Sequence, residues 1–264
     1  MCKDCGCSVK AEQNSSWHQH EDGTWHSHDH DHDHTNHHSV HSAKKVVIDT
    51  TLAVLAKNDE IAQNNRVWFL DNKILCLNFI SSPGSGKTLL LEKLLQLLSK
   101  KFRVAVLVGD QATSLDADRL QNKGALVKQI NTHSSCHLDA PHIQKELGTF
   151  ISPETDVLII ENVGNLVCPS AFDLGEAAKV ALLSTTEGED KPVKYPVLFS
   201  QAQAIILTKM DLVPHLQWSL QKAKSQVRRL NSMAPLFETS AIKEEGLDSL
   251  ILWIEQRLEA IRLL

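Results

Sequence analysis

An apolar run of strand length, residues 74–80 (ILCLNFI), leads directly into Ser81-Ser82-Pro83-Gly84-Ser85-Gly86-Lys87-Thr88 and then into a leucine-rich helical stretch, residues 87–101. Strand, glycine-rich turn, Lys-Thr and helix in that order is the layout of a phosphate-binding loop, and it restricts the chain to folds that can present such a loop at a sheet edge. The rest of the body agrees. Further apolar runs stand at 103–109 (RVAVLVG), 156–161 (DVLIIE), 179–184 (KVALLS) and 203–208 (QAIILT). Helical periodicity marks residues 46–68, 214–230 and 247–263, the last opened by Gly246. Near-continuously apolar strands alternating with helices predict a single α/β domain over residues 44–264. Its mostly parallel sheet is covered by helices on both faces.

The loop residues assign a nucleotide. Backbone amides of Gly84, Ser85, Gly86 and Lys87 converge on a β-phosphate, aided by the positive end of the helix, with Pro83 and Leu89 flanking the ligand. Lys87 reaches the β and γ oxygens and Thr88 binds Mg²⁺. Ser81 stands where the general pattern has its first glycine, but Gly84 and Gly86 keep the tight turn possible. Thr208-Lys209-Met210-Asp211 is similar to the guanine-specificity motif Asn-Lys-x-Asp, in which the carboxylate accepts from guanine N1 and N2. Adenine would leave Asp211 unpaired, at a cost of about 1–3 kcal/mol or more. Thr208 departs from the usual Asn, which leaves one orienting contact open. Thr239-Ser240-Ala241-Ile242-Lys243 is similar to a further guanine-binding segment, whose backbone amide near Ala241 meets O6. The ligand expected is therefore GTP or GDP. Asp110 and Glu161 end two strands at the carboxyl edge and are assigned with Thr88 to Mg²⁺, and the Gly164 amide to the γ-phosphate. Lys87, Thr88, Asp110, Glu161 and Gly164 form the expected catalytic set of a P-loop GTPase. Asn165 and Leu166 follow Gly164, so no glutamine orients the attacking water and slow, regulatory hydrolysis is expected.

The first 43 residues are chemically separate. They carry Cys2, Cys5 and Cys7 and, from His18 to His41, ten of the fourteen histidines of the chain. Of 27 Lys/Arg and 32 Asp/Glu, two and seven fall in residues 1–43, so the tail holds the whole net charge and the body is neutral. A neutral body without a basic stripe argues against nucleic-acid binding. No apolar run reaches a membrane span, no secretory signal is present, and six cysteines with three crowded at one end do not form a disulfide framework. A cytoplasmic protein is expected. Imidazole and thiolate together suit nickel, zinc and copper. The tract, with only Trp17, Trp25 and Val40 as larger apolar groups in residues 17–41, is expected to be disordered without metal. Its histidines, His26, His28, His30, His32 and His34 among them, hold Ni²⁺ loosely. With Met1 removed, the amine and thiolate of Cys2 close a chelate that Cys5 and Cys7 complete as an S₃N set for nickel.

A second donor set stands in the body. Cys136-His137 precedes Asp139, and Cys168 lies four residues past Gly164. Two thiolates and an imidazole make three ligands of borderline-soft preference, for Ni²⁺ or Zn²⁺. Cys168 rides on the segment expected to move when the γ-phosphate is lost, which would link metal affinity to nucleotide state.

With these stretches in place, the chain resembles the HypB family of hydrogenase-maturation GTPases. The resemblance is carried by Cys2-x-x-Cys5-Gly6-Cys7, the histidine tract, residues 81–88, Gly109-Asp110-Gln111, Cys136-His137-Leu138-Asp139-Ala140 and the run from Glu161 to Pro169. It implies a GTPase that stores nickel and delivers it to the large subunit of [NiFe]-hydrogenase, with a Ni/Zn site at Cys136, His137 and Cys168. It also implies a nucleotide-promoted homodimer and a partner zinc-binding maturation protein. A urease-type accessory GTPase fits less well, because it would lack both the terminal cysteines and the Cys-His-Leu-Asp-Ala stretch.

Overall fold

The computed structural model describes residues 17–19, 25–27, 40–110, 114–132 and 135–264, the backbone alone up to residue 51. The chain divides into two units, Met1–Val54 and Leu55–Leu264. In the first, β1 (Trp17–Gln19) and β2 (Trp25–Ser27) pair antiparallel with His18 opposite His26, and α1 (Val40–Asp71) begins. Cys2, Cys5, Cys7, His28, His30, His32 and His34 lie outside the described residues, as does most of the segment expected to be disordered.

The second unit is built on strands β3 (Leu75–Ile80), β4 (Val104–Asp110), β5 (Leu126–Asn131), β6 (Val157–Glu161), β7 (Ala178–Ser184), β8 (Ala204–Thr208) and β9 (Leu236–Glu238). They form one sheet in the order β5-β4-β6-β3-β7-β8-β9, and every pairing is parallel. Between the strands run α2 (Lys87–Leu98), α3 (Leu115–Leu120), α4 (Ala140–Gln144), α5 (Cys168–Ala171), α6 (Lys191–Lys194), α7 (Pro196–Gln201), α8 (Leu220–Leu230) and, after β9, α9 (Leu247–Arg262).

Strand side chains alternate between faces. Leu75, Leu77 and Phe79 of β3 pack with Leu91, Leu94 and Leu98 of α2 and with Leu250, Ile254 and Leu258 of α9. Cys76 points the other way, into a core with Phe69 of α1, Leu107 and Ile160. Ile80, Leu183 and Leu207 meet Leu198, Phe199, Ala223 and Val227 of α7 and α8. Burial on both faces explains why these strands read as unbroken apolar runs. It also explains what sequence periodicity missed. Strand β5 is an edge, largely exposed along LVKQIN, and β9 at the other edge is only three residues long. The amphipathic stretch expected as one helix from residue 214 is divided. Met210–His215 is a 3-10 turn containing Pro214, and α8 begins only after Ser219, whose side chain accepts from the Lys222 amide and caps it. Among the described residues no helix is long and apolar enough to cross a membrane.

The order places the ends of β4, β6, β3, β7 and β8 side by side, with Phe79 opposite Glu161 and Ser184 opposite Thr208. Ligands of open α/β sheets bind at this carboxyl edge, where strand order reverses about the first strand.

Candidate functional site

The phosphate loop closes between β3 and α2. Gly84 and Gly86 both have positive φ, at 73° and 90°, a region that side-chain-bearing residues adopt at a cost. Gly86 is also the N-cap of α2 and makes no side-chain cap hydrogen bond, so the first-turn amides stay directed at the cleft. That cleft, of about 570 Å³, is lined by the loop together with Asp110, Asp116, Arg119, Asn162 and Gly164. Gly164 lies directly against Pro83. A β-carbon at Gly164 would stand 3.1 Å from Pro83 Cγ and 3.2 Å from its Cα, so any larger residue would have to push the phosphate loop back by a few tenths of an ångström.

Lys87 and Thr88 meet on one carboxylate oxygen. Lys87 Nζ donates to Glu161 Oε1 at 2.9 Å and to the Asn162 carbonyl at 2.7 Å, and Thr88 Oγ1 donates to the same Oε1 at 2.6 Å. Glu161 is 1 % exposed, and its Oε2 is buried with no hydrogen-bond partner among the described residues. A buried carboxylate oxygen without a donor is costly unless a cation or a donor reaches it. A hydroxyl, a buried carboxylate with one oxygen open and Asp110 on the same cleft make a donor set that fits Mg²⁺, a hard cation taking oxygen ligands.

Beside the phosphate cleft is a second cavity of about 270 Å³, lined by Gly86, Leu89, Thr208, Lys209, Asp211 and Ala241. Its walls hold the segments expected to recognise guanine. The Thr208 hydroxyl, buried, donates to the Ser85 carbonyl at 2.7 Å, so the residue that departs from the usual Asn still braces the phosphate loop. Lys209 adopts left-handed backbone geometry (φ 59°) and folds its side chain over the loop, Nζ donating to the Gly84 carbonyl at 2.7 Å. Thr185 Oγ1 holds the strained Lys209 by donating to its carbonyl at 2.8 Å. Ser240 Oγ donates to Asp211 Oδ1 at 2.6 Å, orienting the carboxylate along one wall.

Cys136, His137 and Cys168 come together as well. One ligand atom from each lies within 4.8 Å of the others, and Cys136 Sγ is 3.8 Å from His137 Nδ1. Packing accounts for the encounter. The His137 ring stacks on Phe172, four residues past Cys168, with centroids 3.9 Å apart. Burial pushes the His137 imidazole below its ordinary value, despite the opposing pull of the Asp139 carboxylate, which favours the neutral ligating form. Asp139 caps α4 in a capping box with His142, and hydrogen bonds from His142 hold its carboxyl below the usual range although burial acts the other way. His26 is described only by its backbone, in β2.

Several site residues were not legible in the sequence. Asp116 and Arg119 of α3 line the phosphate cleft, and Glu187 stands beside Ser82 with its carboxyl pushed up by burial. Phe172 gives an aromatic floor to His137. Only Phe172, spaced one helical turn after a candidate ligand, left any local signal.

Comparison with known proteins agrees with this geometry. Residues 76–238 match the CobW/HypB/UreG nucleotide-binding domain family. The hydrogenase maturation factor HypB of Azotobacter vinelandii is 47 % identical over 204 residues, 77 % of this chain and 67 % of that protein. The factor of the same name from Escherichia coli K12 is 43 % identical over 218 residues, 83 % of this chain and 75 % of that one. Among solved structures, HypB of Helicobacter pylori in complex with nickel superposes with a TM-score of 0.72 at 40 % identity, covering 77 % of this chain and 96 % of that one. With a phosphate loop, an adjoining cavity bordered by Asp211 and a seven-stranded parallel sheet in one unit, this chain belongs to the HypB family of hydrogenase maturation factors and has its P-loop GTPase fold.

Proposed function

We propose that this protein is a GTP-hydrolysing nickel metallochaperone. It stores nickel on its N-terminal cysteines and histidines and passes it, through a nucleotide-gated site, to the large subunit of a [NiFe]-hydrogenase. What supports the gate is one observation: the ligand atoms of Cys136, His137 and Cys168 lie within 4.8 Å of one another, and Cys168 follows the same segment that carries Glu161 and Gly164. The nickel complex of the Helicobacter pylori relative supports the choice of metal, and the names of the relatives support the pathway.

The chain's own groups divide the work. Lys87, held on Glu161 and the Asn162 carbonyl, turns its ammonium to the β and γ oxygens when GTP enters. Thr88, Asp110 and Glu161 would hold Mg²⁺, whose charge would offset that of the phosphates. The Gly164 amide takes the γ-phosphate, and Asp211, Ser240 and the Ala241 amide hold the base. Water attacks the γ-phosphorus, GDP and phosphate result, and the segment from Glu161 to Cys168 loses its anchor. Cys168 then shifts relative to Cys136 and His137, and nickel affinity changes. The absence of a glutamine after Gly164 fits slow turnover by a switch. Zn²⁺ can occupy the same ligands. GTP favours a homodimer, and the partners are a zinc-binding maturation protein and the hydrogenase large subunit.

The test uses full-length protein with Cys2, Cys5 and Cys7 replaced by serine, so that thiolate-to-nickel absorption reports the body site alone. One nickel per chain is expected, with affinities that differ between the GTP and GDP forms by about 5–150-fold. Cys136→Ser or Cys168→Ser should lower affinity by roughly tenfold or more. Affinity unchanged in both variants would remove the site from the proposal.

A further inference from the structure

We propose that Asn162 is the positioning residue that carries nucleotide state to the Cys136–His137 segment. The proposal rests on the reading of Cys136, His137 and Cys168 as a nickel site and adds how the metal segment senses the phosphate cleft.

Asn162 directly follows Glu161 and is fully buried. Its carbonyl accepts from Lys87 Nζ at 2.7 Å, so its backbone is held by the same ammonium that must turn to an incoming phosphate. Its side chain faces the metal segment. Asn162 Oδ1 accepts from the Leu138 amide at 3.1 Å and from the Val163 amide at 3.0 Å, while Nδ2 donates to Asn78 Oδ1 at 3.2 Å. Asn78 in turn donates to Glu176 Oε1 at 3.2 Å, which leaves its oxygen free to receive Asn162. The carboxamide is thus set by two donors on one side and an acceptor on the other. An aspartate there would bring an anionic oxygen against Asn78 Oδ1.

Leu138 is the residue next to His137. Its side chain, fully buried, lies on the bare face of Gly109, where a β-carbon would come within 2.8 Å of Leu138 Cγ. The metal segment is therefore tied at Leu138 to the ends of β6 and β4, both on the phosphate cleft.

Two residues farther on, the chain is tied elsewhere. The Ala140 amide donates to Asn58 Oδ1 at 2.9 Å, and the Ala140 carbonyl accepts from Asn65 Nδ2 at 3.0 Å. The same two asparagines of α1 donate to the Asp173 and Leu174 carbonyls, at 2.8 and 3.1 Å, just past Cys168. Both ligand-bearing segments are thus anchored on α1 just past their ligands, and the first of them is tied to Asn162 as well. A displacement of Asn162 when Lys87 leaves its carbonyl moves Leu138, and with it His137, against a fixed pivot.

The experiment measures nickel affinity of the full-length Cys2/Cys5/Cys7→Ser protein with GTP or GDP saturating, read from thiolate-to-nickel absorption, in the presence and absence of Asn162→Ala. A wild-type affinity ratio of about tenfold should fall to within about twofold in the variant, with nickel still binding. The position of the absorption band should no longer change with nucleotide. Should the alanine variant fail to fold, judged by its melting transition, Asn162→Ser keeps a small polar group too short to reach Leu138 and is expected to give the same loss. A folded variant that retains the wild-type ratio overturns the role of Asn162. Absence of nickel at the cluster in the parent protein overturns instead the reading of the site on which it rests.

Discussion

Asp211 accepts a hydrogen bond from the Ser240 hydroxyl on one oxygen, which fixes the carboxylate at the wall of a cavity roomy enough for a base. Guanine offers N1–H and an exocyclic amine to such an acceptor. Asp211→Asn replaces an acceptor by a donor, and loss of a charge-assisted pair of this kind costs about 1–3 kcal/mol. GTP affinity should fall by roughly 10–100-fold, while xanthosine triphosphate, whose 2-oxo group accepts where guanine donates, should gain relative to it. Equal GTP binding by the variant, measured by titration calorimetry, would place the base elsewhere. Such residues were legible because their chemistry is local. Lys87, Thr88 and Asp211 sit in short runs whose spacing encodes their geometry. Asn162 was not, since its value lies in reaching Leu138, 24 positions earlier in the chain. The Thr208 departure likewise needed coordinates, because its partner Ser85 is 123 positions away.

At the scale of elements, α1 stands out as a brace. Besides its asparagines, Arg66 makes a two-pronged contact with Asp173, at 2.7 and 2.6 Å. Burial raises the Asp173 carboxyl, but the Arg66 hydrogen bond and charge win, and its value lies below the ordinary one. A depressed carboxylate contributes stability above its unfolded value near 4, and that contribution is lost as pH falls through the lower folded value. Arg66→Met should therefore lower the melting temperature at pH 7, by about 2–4 °C for a partly exposed pair worth up to roughly 1 kcal/mol. The difference should shrink as pH falls below about 4. A gap that is constant across this range would mean that Arg66 acts through packing alone. Periodicity foretold a helix in this part of the chain but not its task, because a polar residue on a helix reads as solvent-facing until a loop is found to cover it. The same limit hid β5, whose edge position leaves its residues exposed and its pattern faint.

At the scale of the whole molecule, the tail and the body divide by charge and composition. Deleting residues 14–42 should lower the number of nickel ions bound per chain and leave the GTP hydrolysis rate unchanged. A lost rate would show that the tract is needed by the catalytic unit. The remaining capacity of the intact tract should fall as pH drops through about 6.5, since only neutral imidazole is a ligand. Residue order alone determined the parallel α/β fold and the phosphate loop, and it singled out the segments expected to meet guanine and the cysteines and histidines expected to ligate metal. Each of these depends on chemistry within a few residues or on apolar runs that must be buried. Tertiary structure alone decided that Cys168 meets Cys136 and His137, that Glu161 receives both Lys87 and Thr88, and that Asn162 accepts from both Lys87 and the Leu138 amide. These are encounters between segments tens of residues apart, set by strand order and by how the loops pack above it, and no local pattern encodes them.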